Sequence, residues 1–398
     1  MCNYIYNLEN IPESDRTFFV EMLSYISEYV TDISVEGNKV NIAYEGTSEE
    51  EIVTSVKFLE NMIEVKLKNV GDKVQIKTIE DYTNRETINT MNIFEEMLKL
   101  GIVKPISSGA FAYSGIYLKV FKYFCKKVED SIEKLFPNLE KQEYEVPILT
   151  PVDDYDEGKY FETFPHHIMF QTTMKSDINV IDRFAKNGIS DRTILNEIKT
   201  PINVLRTAAC VPIYPFLRDA RISQEAPKCF LVSGKCFRNE GNNVKELSRL
   251  NEFYMKEYVF VGTPKQAKAY IEKAYALWKF WDETFNINCK IDTANDSFFA
   301  SNYKKLQLFQ ILGDSKREFK WLIPNSDTYI SCSSANFHRT HFTKVYNIKT
   351  DETDAYCHSS CFAFGIERLT YALLSQKGLD VSKWDSATKE EISKYVTL

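Results

Sequence analysis

Residues 228–262 read KCFLVSGKCFRNEGNNVKELSRLNEFYMKEYVFVG, and the rest of the chain is organised around them. The first ten residues are apolar-rich and run straight into Arg238-Asn239-Glu240. The connection carries Gly241, Asn242 and Asn243, residue types that tolerate turn geometry. The return segment from Leu250 to Val261 is aromatic and β-branched, with charges set into it, as in a strand. Side chains alternate faces along a strand. Arg238 and Glu240 are therefore expected on one face of the outgoing strand, and Arg249, Asn251 and Glu257 on one face of the return. Two arginines and two carboxylates would meet on one surface of a hairpin. An ordinary sheet has little use for that; a site holding a polyphosphate and a metal does.

Outward from this hairpin, composition sets the class. The chain has 398 residues, too many for one small core, so a large domain with a smaller one is the natural division. It is 44% apolar and 14% aromatic, which excludes a disordered chain. A net charge of −7 weighs against nucleic-acid binding, which needs concentrated Lys and Arg. No signal pattern, membrane-length apolar run or lipidation motif is read, so no membrane partner is expected. Nine cysteines scattered without a framework suit reduced thiols, and a cytoplasmic location is the expectation.

The N-terminal part reads as a small α+β domain of unassigned role. Helical spacing from Ser14 to Tyr29 is followed by a hairpin turning at Gly37-Asn38 and a helix opened by Glu49-Glu50-Glu51. Glu64 to Lys77 reads as strand, and Asp81 to Asn84 as a linker, which divides the chain into 1–90 and 91–398. Beyond it, Phe94 to Leu100 reads as a short helix, Lys104 to Gly109 as a loop and Gly115 to Phe136 as a long helix. YEVPILTPV, residues 144–152, reads as a proline-cut strand. His166-His167 could ligate metal, but neighbours on a strand point opposite ways. From Thr263 to Phe285, Tyr270, Ala274, Trp278, Trp281 and Phe285 form a helical stripe that predicts a core face. HSSCFAFGIERLTYALL ends a strand at Gly365 and places Arg368 in the first turn of a helix.

Together these pieces resemble the signatures of class II aminoacyl-tRNA synthetases. FRNE with RLNEFYMKEYVFVG is similar to the second, CFAFGIERL to the third, and the long helix plus YEVPILTPV to the degenerate first. Within that class the chain resembles zinc-dependent seryl-type enzymes, and more closely the amino acid:[carrier protein] ligases, through KYFETFPHHI, TAACVPIYP, TANDSFF and SSANFHRTHF. The resemblance implies an α+β fold, a mainly antiparallel sheet flanked by helices, preceded by the small domain. It implies ATP with Mg2+, a small amino acid such as glycine or alanine, and a phosphopantetheinylated carrier protein as acceptor. A homodimer paired through the first signature is also implied. The N-terminal part lacks the sustained heptads of a coiled-coil tRNA arm, so a seryl-type tRNA ligase is the second reading and a catalytically silent relative the third.

By the same resemblance, Cys210, Glu257 and Cys361 are zinc ligands, and Glu257 thereby also serves the substrate amine. Two thiolates and a carboxylate suit zinc and leave the fourth position open. Cys332, Cys357 and His358 are alternatives from spacing alone. Arg238 is assigned to the α-phosphate and Arg368 to the γ-phosphate, as the catalytic pair. Glu240 is assigned to the adenine end, Arg249 to the bent triphosphate, Leu250 to packing beside the base, and Cys332, Ser333 and Ser334 to the ATP-lining strand. One region departs from the pattern. Lys320 stands where an acid is expected four residues before Pro324, and no acid occurs from Thr328 to Ser331. Both expected acids serve magnesium in the family.

Overall fold

The computed structural model describes residues 2–67, 76–188, 192–294, 296, 298–299 and 315–398. The N-terminal unit comprises β1 (Cys2–Asn7), α1 (Glu13–Leu23), β2 (Val30–Glu36), β3 (Lys39–Tyr44) and α2 (Glu49–Leu67). Its antiparallel sheet has the order β1-β3-β2. The hairpin turns at Gly37-Asn38 as predicted, with Gly37 at φ +60°, a conformation that costs glycine little. Phe18, Phe19, Met22 and Leu23 of α1 and Ile52, Val56, Leu59 and Ile63 of α2 form one core with Val40 and Ile42. The α2 residues recur at helical spacing. That repeat carries the helix through Leu67 and overturns the strand expected from Glu64; residues 68–75 lie outside the described residues.

The larger unit holds an eight-stranded sheet. Its elements are β4 (Thr78–Asp81), α3 (Gly115–Leu135), β5 (Lys141–Tyr144), β6 (Lys228–Phe237), β7 (Glu252–Gly262) and α4 (Pro264–Phe285). They continue with β8 (Cys289–Thr293), β9 (Lys316–Ile323), β10 (Thr328–Arg339), β11 (His358–Gly365) and α5 (Ile366–Lys377). The strand order is β4-β8-β9-β10-β11-β7-β6-β5, and only the β5–β6 pair is parallel. This is the mainly antiparallel, helix-flanked α+β sheet that the resemblance implies.

Three boundaries differ from the sequence reading. The expected linker begins inside the large sheet, because Thr78–Asp81 pairs with β8. Arg85 is ion-paired with Asp282, and the Asn89 amide donates to the Gln376 carbonyl at 2.9 Å, so the large unit claims residues before 91. The expected loop at Lys104–Gly109 is largely a strand, Val103–Ser107, paired with Ala110–Tyr113; a two-stranded hairpin tolerates Pro105. The proline-cut segment splits in two: Lys141–Tyr144 joins the large sheet, while Leu149–Pro151 joins a separate three-stranded sheet.

Alternation gives the large sheet two unlike faces. On β11, Phe362 and Phe364 point towards α4, where Phe362 meets Trp278 with ring centroids 4.7 Å apart and Phe364 meets Trp281 at 5.8 Å. The predicted stripe is thus core: Ala274, Trp278, Trp281 and Phe285 are buried, with Tyr270 packed against them. Thr263 caps α4 in a capping box with Gln266. Truncating Trp278 would cost about 3–5 kcal/mol. The residues that alternate with the phenylalanines, Cys361 and Ala363, face the opposite side and a cavity.

Candidate functional site

The cavity has a volume of about 720 Å³ and lies over β7, β10 and β11. Two ends can be distinguished by chemistry.

At one end sit Cys210, Glu257 and Cys361, all buried, with one ligand atom of each within 4.8 Å of the others. Register explains the meeting: Glu257 is opposite Ala363 across the β7–β11 ladder, two residues from Cys361 and on the same face. Cys210 arrives on the segment after the short strand Asn203–Leu205, and its amide donates to Glu257 Oε1 at 3.0 Å. Asn336 Nδ2 donates to Cys361 Sγ at 3.4 Å, and His338 Nε2 lies 3.6 Å from the same sulfur. The bond to Cys361, followed by burial and the Glu257 carboxylate, pushes the Cys210 thiol well up. For Cys361 the bond from Cys210 lowers the pKa, and burial with Glu257 more than offsets it. Three acidic groups packed together out of water fit a soft divalent cation, which would stabilise the thiolates. Among the described residues no other metal-ligand group occurs; Cys332, Cys357 and His358 do not join this one.

At the other end lie Arg238, Arg249 and Arg368 with Glu240. The strands stop short of these residues: β6 ends at Phe237 and β7 starts at Glu252. Arg238, Glu240 and Arg249 share the cavity with Glu257 as alternation predicts, but hydrogen bonds of the loop, and not the strand ladder, position them. Arg238 Nε donates to the Thr207 carbonyl at 3.1 Å, with its guanidinium over Phe253. Glu240 takes the Asn251 amide oxygen on its backbone N–H at 2.9 Å, and its carboxylate accepts from Arg249 at 3.2 Å. Arg368, in the first turn of α5, donates to the carbonyls of Ser248 at 2.6 Å and Ser331 at 3.0 Å. Burial, then the like charge of Arg249, lowers its pKa. Leu250 is buried beside this group.

Cys332, Ser333 and Ser334 also line the cavity, but the Ser333 hydroxyl is committed to the helix side. It accepts from Trp278 Nε1 at 2.8 Å and donates to the Ala363 carbonyl at 2.6 Å. Lys320 lies against Asp292 at 3.2 Å and Glu318 at 3.6 Å. Glu318 itself lines the cavity, so β9 does offer a carboxylate there, two residues before the expected place.

Sequence reasoning missed or misplaced three contributors. Asn336 and His338 stand behind Cys361; period-2 counting from Ser334 would have placed both on its face. His166 and His167 form a single 3-10 turn, Pro165–His167, and not a strand, so their rings lie together, 4.1 Å apart, instead of on opposite faces. The N-terminal unit supplies the third: Glu21 of α1 pairs with Arg249 at 2.6 Å, and Glu21, Met22 and Tyr25 line the cavity. No periodicity within residues 1–67 signals that contact.

A sheet of this order is that of the class II aminoacyl-tRNA synthetase fold, and its cleft holds the three-residue cluster at one end and the arginine group at the other. Residues 201–377 match the family model for the tRNA synthetase class II core domain (G, H, P, S and T), and the chain carries that core. It is 24% identical over 384 residues to the type-2 serine–tRNA ligase of Methanococcus maripaludis strain C6, covering 91% of this chain and 74% of that protein. It is 31% identical over 189 residues to amino acid–[acyl-carrier-protein] ligase 1 of Bradyrhizobium diazoefficiens, covering 47% of this chain and 56% of that one. The crystal structure of M. kandleri SerRS in complex with A. aeolicus tRNASec superposes with a TM-score of 0.70 at 21% identity, covering 98% of this chain and 77% of that. This structural match takes in the N-terminal unit, which lies outside the motifs read from sequence. Among the described residues, no helix is long and apolar enough to cross a membrane.

Proposed function

We propose that this chain activates a small amino acid with ATP and passes it to the phosphopantetheine thiol of a carrier protein. The observation that carries the reading is the pairing, in one cavity, of the Cys210–Glu257–Cys361 cluster with the Arg238–Arg249–Arg368 group. The cluster would hold zinc, which when bound supplies an open position for the free α-amino group of the substrate. Arg238 and Arg368 orient the triphosphate and stabilise charge as the amino acid carboxylate oxygen attacks the α-phosphorus and pyrophosphate leaves. The thiol then attacks the acyl carbon, and AMP departs. No general base is required for the first step, since a carboxylate is already a nucleophile.

The carrier as acceptor is supported by the 31% identity to a carrier-protein ligase. On α4, Lys265, Lys268 and Lys273 are exposed, a cationic edge suited to an acidic partner. A second reading, seryl-type tRNA ligation, is favoured by the structural match that includes the N-terminal unit. The two are separated by an acceptor competition: protein, ATP and labelled amino acids are offered holo-carrier protein and total tRNA together. A hydroxylamine-sensitive thioester on the carrier is the expected product, and label on tRNA alone would replace the first reading with the second. Absence of any ATP-dependent adenylate would overturn both.

A further inference from the structure

His166 belongs to no part of the reading above, yet its place in the cavity asks for a ligand. The ring is about nine-tenths buried, at 9% exposure, and lines the cavity. Neither Nδ1 nor Nε2 has a hydrogen-bond partner. Leaving a buried polar group unpaired is costly, and such groups in native proteins call for a missing partner.

The surroundings say what kind of partner fits. The Asn239 amide donates to the His167 carbonyl at 3.0 Å, and the Tyr25 hydroxyl donates to the Asn239 carbonyl at 2.8 Å. One residue, Asn239, which stands between Arg238 and Glu240, is thus held between the histidine turn and the N-terminal unit. Tyr25 packs edge-on to His166 with centroids 5.1 Å apart, and Phe299 closes another side at 5.8 Å. The ring is therefore fixed by its packing. Burial, followed by the charges of Arg238 and Arg249, lowers its pKa to about 4. At neutral pH it is an uncharged imidazole with one N–H donor and one acceptor nitrogen. A neutral donor wedged near two guanidinium groups complements an anion without adding to their mutual repulsion.

From this geometry we propose that His166 donates a ring N–H to the phosphate chain of the bound nucleoside triphosphate, between the contacts of Arg238 and Arg249. The inference rests on the adenylating reading and adds a phosphate-binding residue to it. A hydrogen bond to a charged acceptor corresponds to an affinity change of roughly 10- to 100-fold.

The test compares two variants by calorimetric titration with ATP, with zinc content and melting midpoint confirming the fold. His166→Phe keeps a ring against Tyr25 and His167 but removes the donor; His166→Gln keeps a donor and removes the ring. The expected pattern is a loss of ATP affinity of about tenfold or more in His166→Phe and no more than about threefold in His166→Gln. Unchanged affinity in His166→Phe would mean that the ring nitrogens meet only water, and would overturn the proposal. Equal loss in both variants would assign the ring to packing and overturn it as well. Failure of the unaltered protein to bind ATP would overturn the adenylating reading too, so the two failures are distinguishable.

Discussion

The two ends of the cavity are built on opposite plans. At the cysteine end, Glu257 and Cys361 come from neighbouring central strands, and all three candidate ligands are buried. That end concentrates groups that repel when ionised, a repulsion that a bound cation would offset. At the arginine end, the residues come from a loop and a helix start, and their charge is already partly met from within. Arg249 is shared by Glu21 and Glu240, while Arg368 is spent on two backbone carbonyls. A triphosphate arriving there must displace or share contacts that exist. The lesson is that metal binding should behave as a fixed property of the sheet, whereas nucleotide binding should depend on a separate unit, the one that carries Glu21.

The sharpest break of this comparison targets the fixed end. Cys210→Ser and Cys361→Ser should each reduce metal content from about one zinc per chain to near none, with adenylate formation down on the order of 100-fold. Full zinc in both variants by atomic absorption would remove the ligand assignment. Next comes the opposite end: Arg238→Ala and Arg368→Ala should slow pyrophosphate exchange by roughly 100- to 1,000-fold. Their zinc should stay intact; coupled loss of metal would show that the two ends are not separate.

A smaller effect, of opposite sign, is expected from Glu21→Gln. Removing the carboxylate that competes for Arg249 should tighten ATP binding by about three- to tenfold, since a half-buried ion pair is worth roughly 1 kcal/mol. Weaker binding in a titration would instead make Glu21 a support that holds Arg249 in place. The smallest effect is one of pH. Burial holds the pKa of His166 at about 4 and that of His167 at about 2, below their ordinary 6.5. Above pH 6.5 both states are neutral and the stability is fully present. As pH falls below 6.5 the unfolded chain takes up protons that the folded one refuses, so stability declines. Between pH 6.5 and 5, His166→Gln should decline less than the unaltered protein by about 1–2 kcal/mol in urea unfolding. Parallel curves would place the histidine turn in water.

What the sequence showed clearly were features governed by local period. The α4 stripe ending at Trp281 and Phe285, the Gly37 turn and the strand-to-helix junction at Gly365 need only neighbours in sequence to be read. The family resemblance, and not spacing, brought Cys210, Glu257 and Cys361 into one candidate set, and the structure has them within reach of a single ion. It was less informative wherever a strand ended. Arg238 and Arg249 lie beyond the last ladder pair, so hydrogen bonds of the loop, and not the ladder, hold them on the cavity side that alternation had assigned them. The His166-His167 pair was weighed as strand because a single 3-10 turn leaves no periodic trace.

By itself, then, the sequence determined the helix faces and the identity of the chemical groups, because period and residue type act over a few residues, while the fold class came through the family resemblance. Only the tertiary structure decided which groups share a cavity across 228 positions, as Glu21 and Arg249 do. Docking of the N-terminal unit onto the 239–243 loop is a match between two folded surfaces. Its hydrogen bonds use main-chain carbonyls of Val30, Glu21 and Asn239, groups that every residue possesses and that no residue code distinguishes.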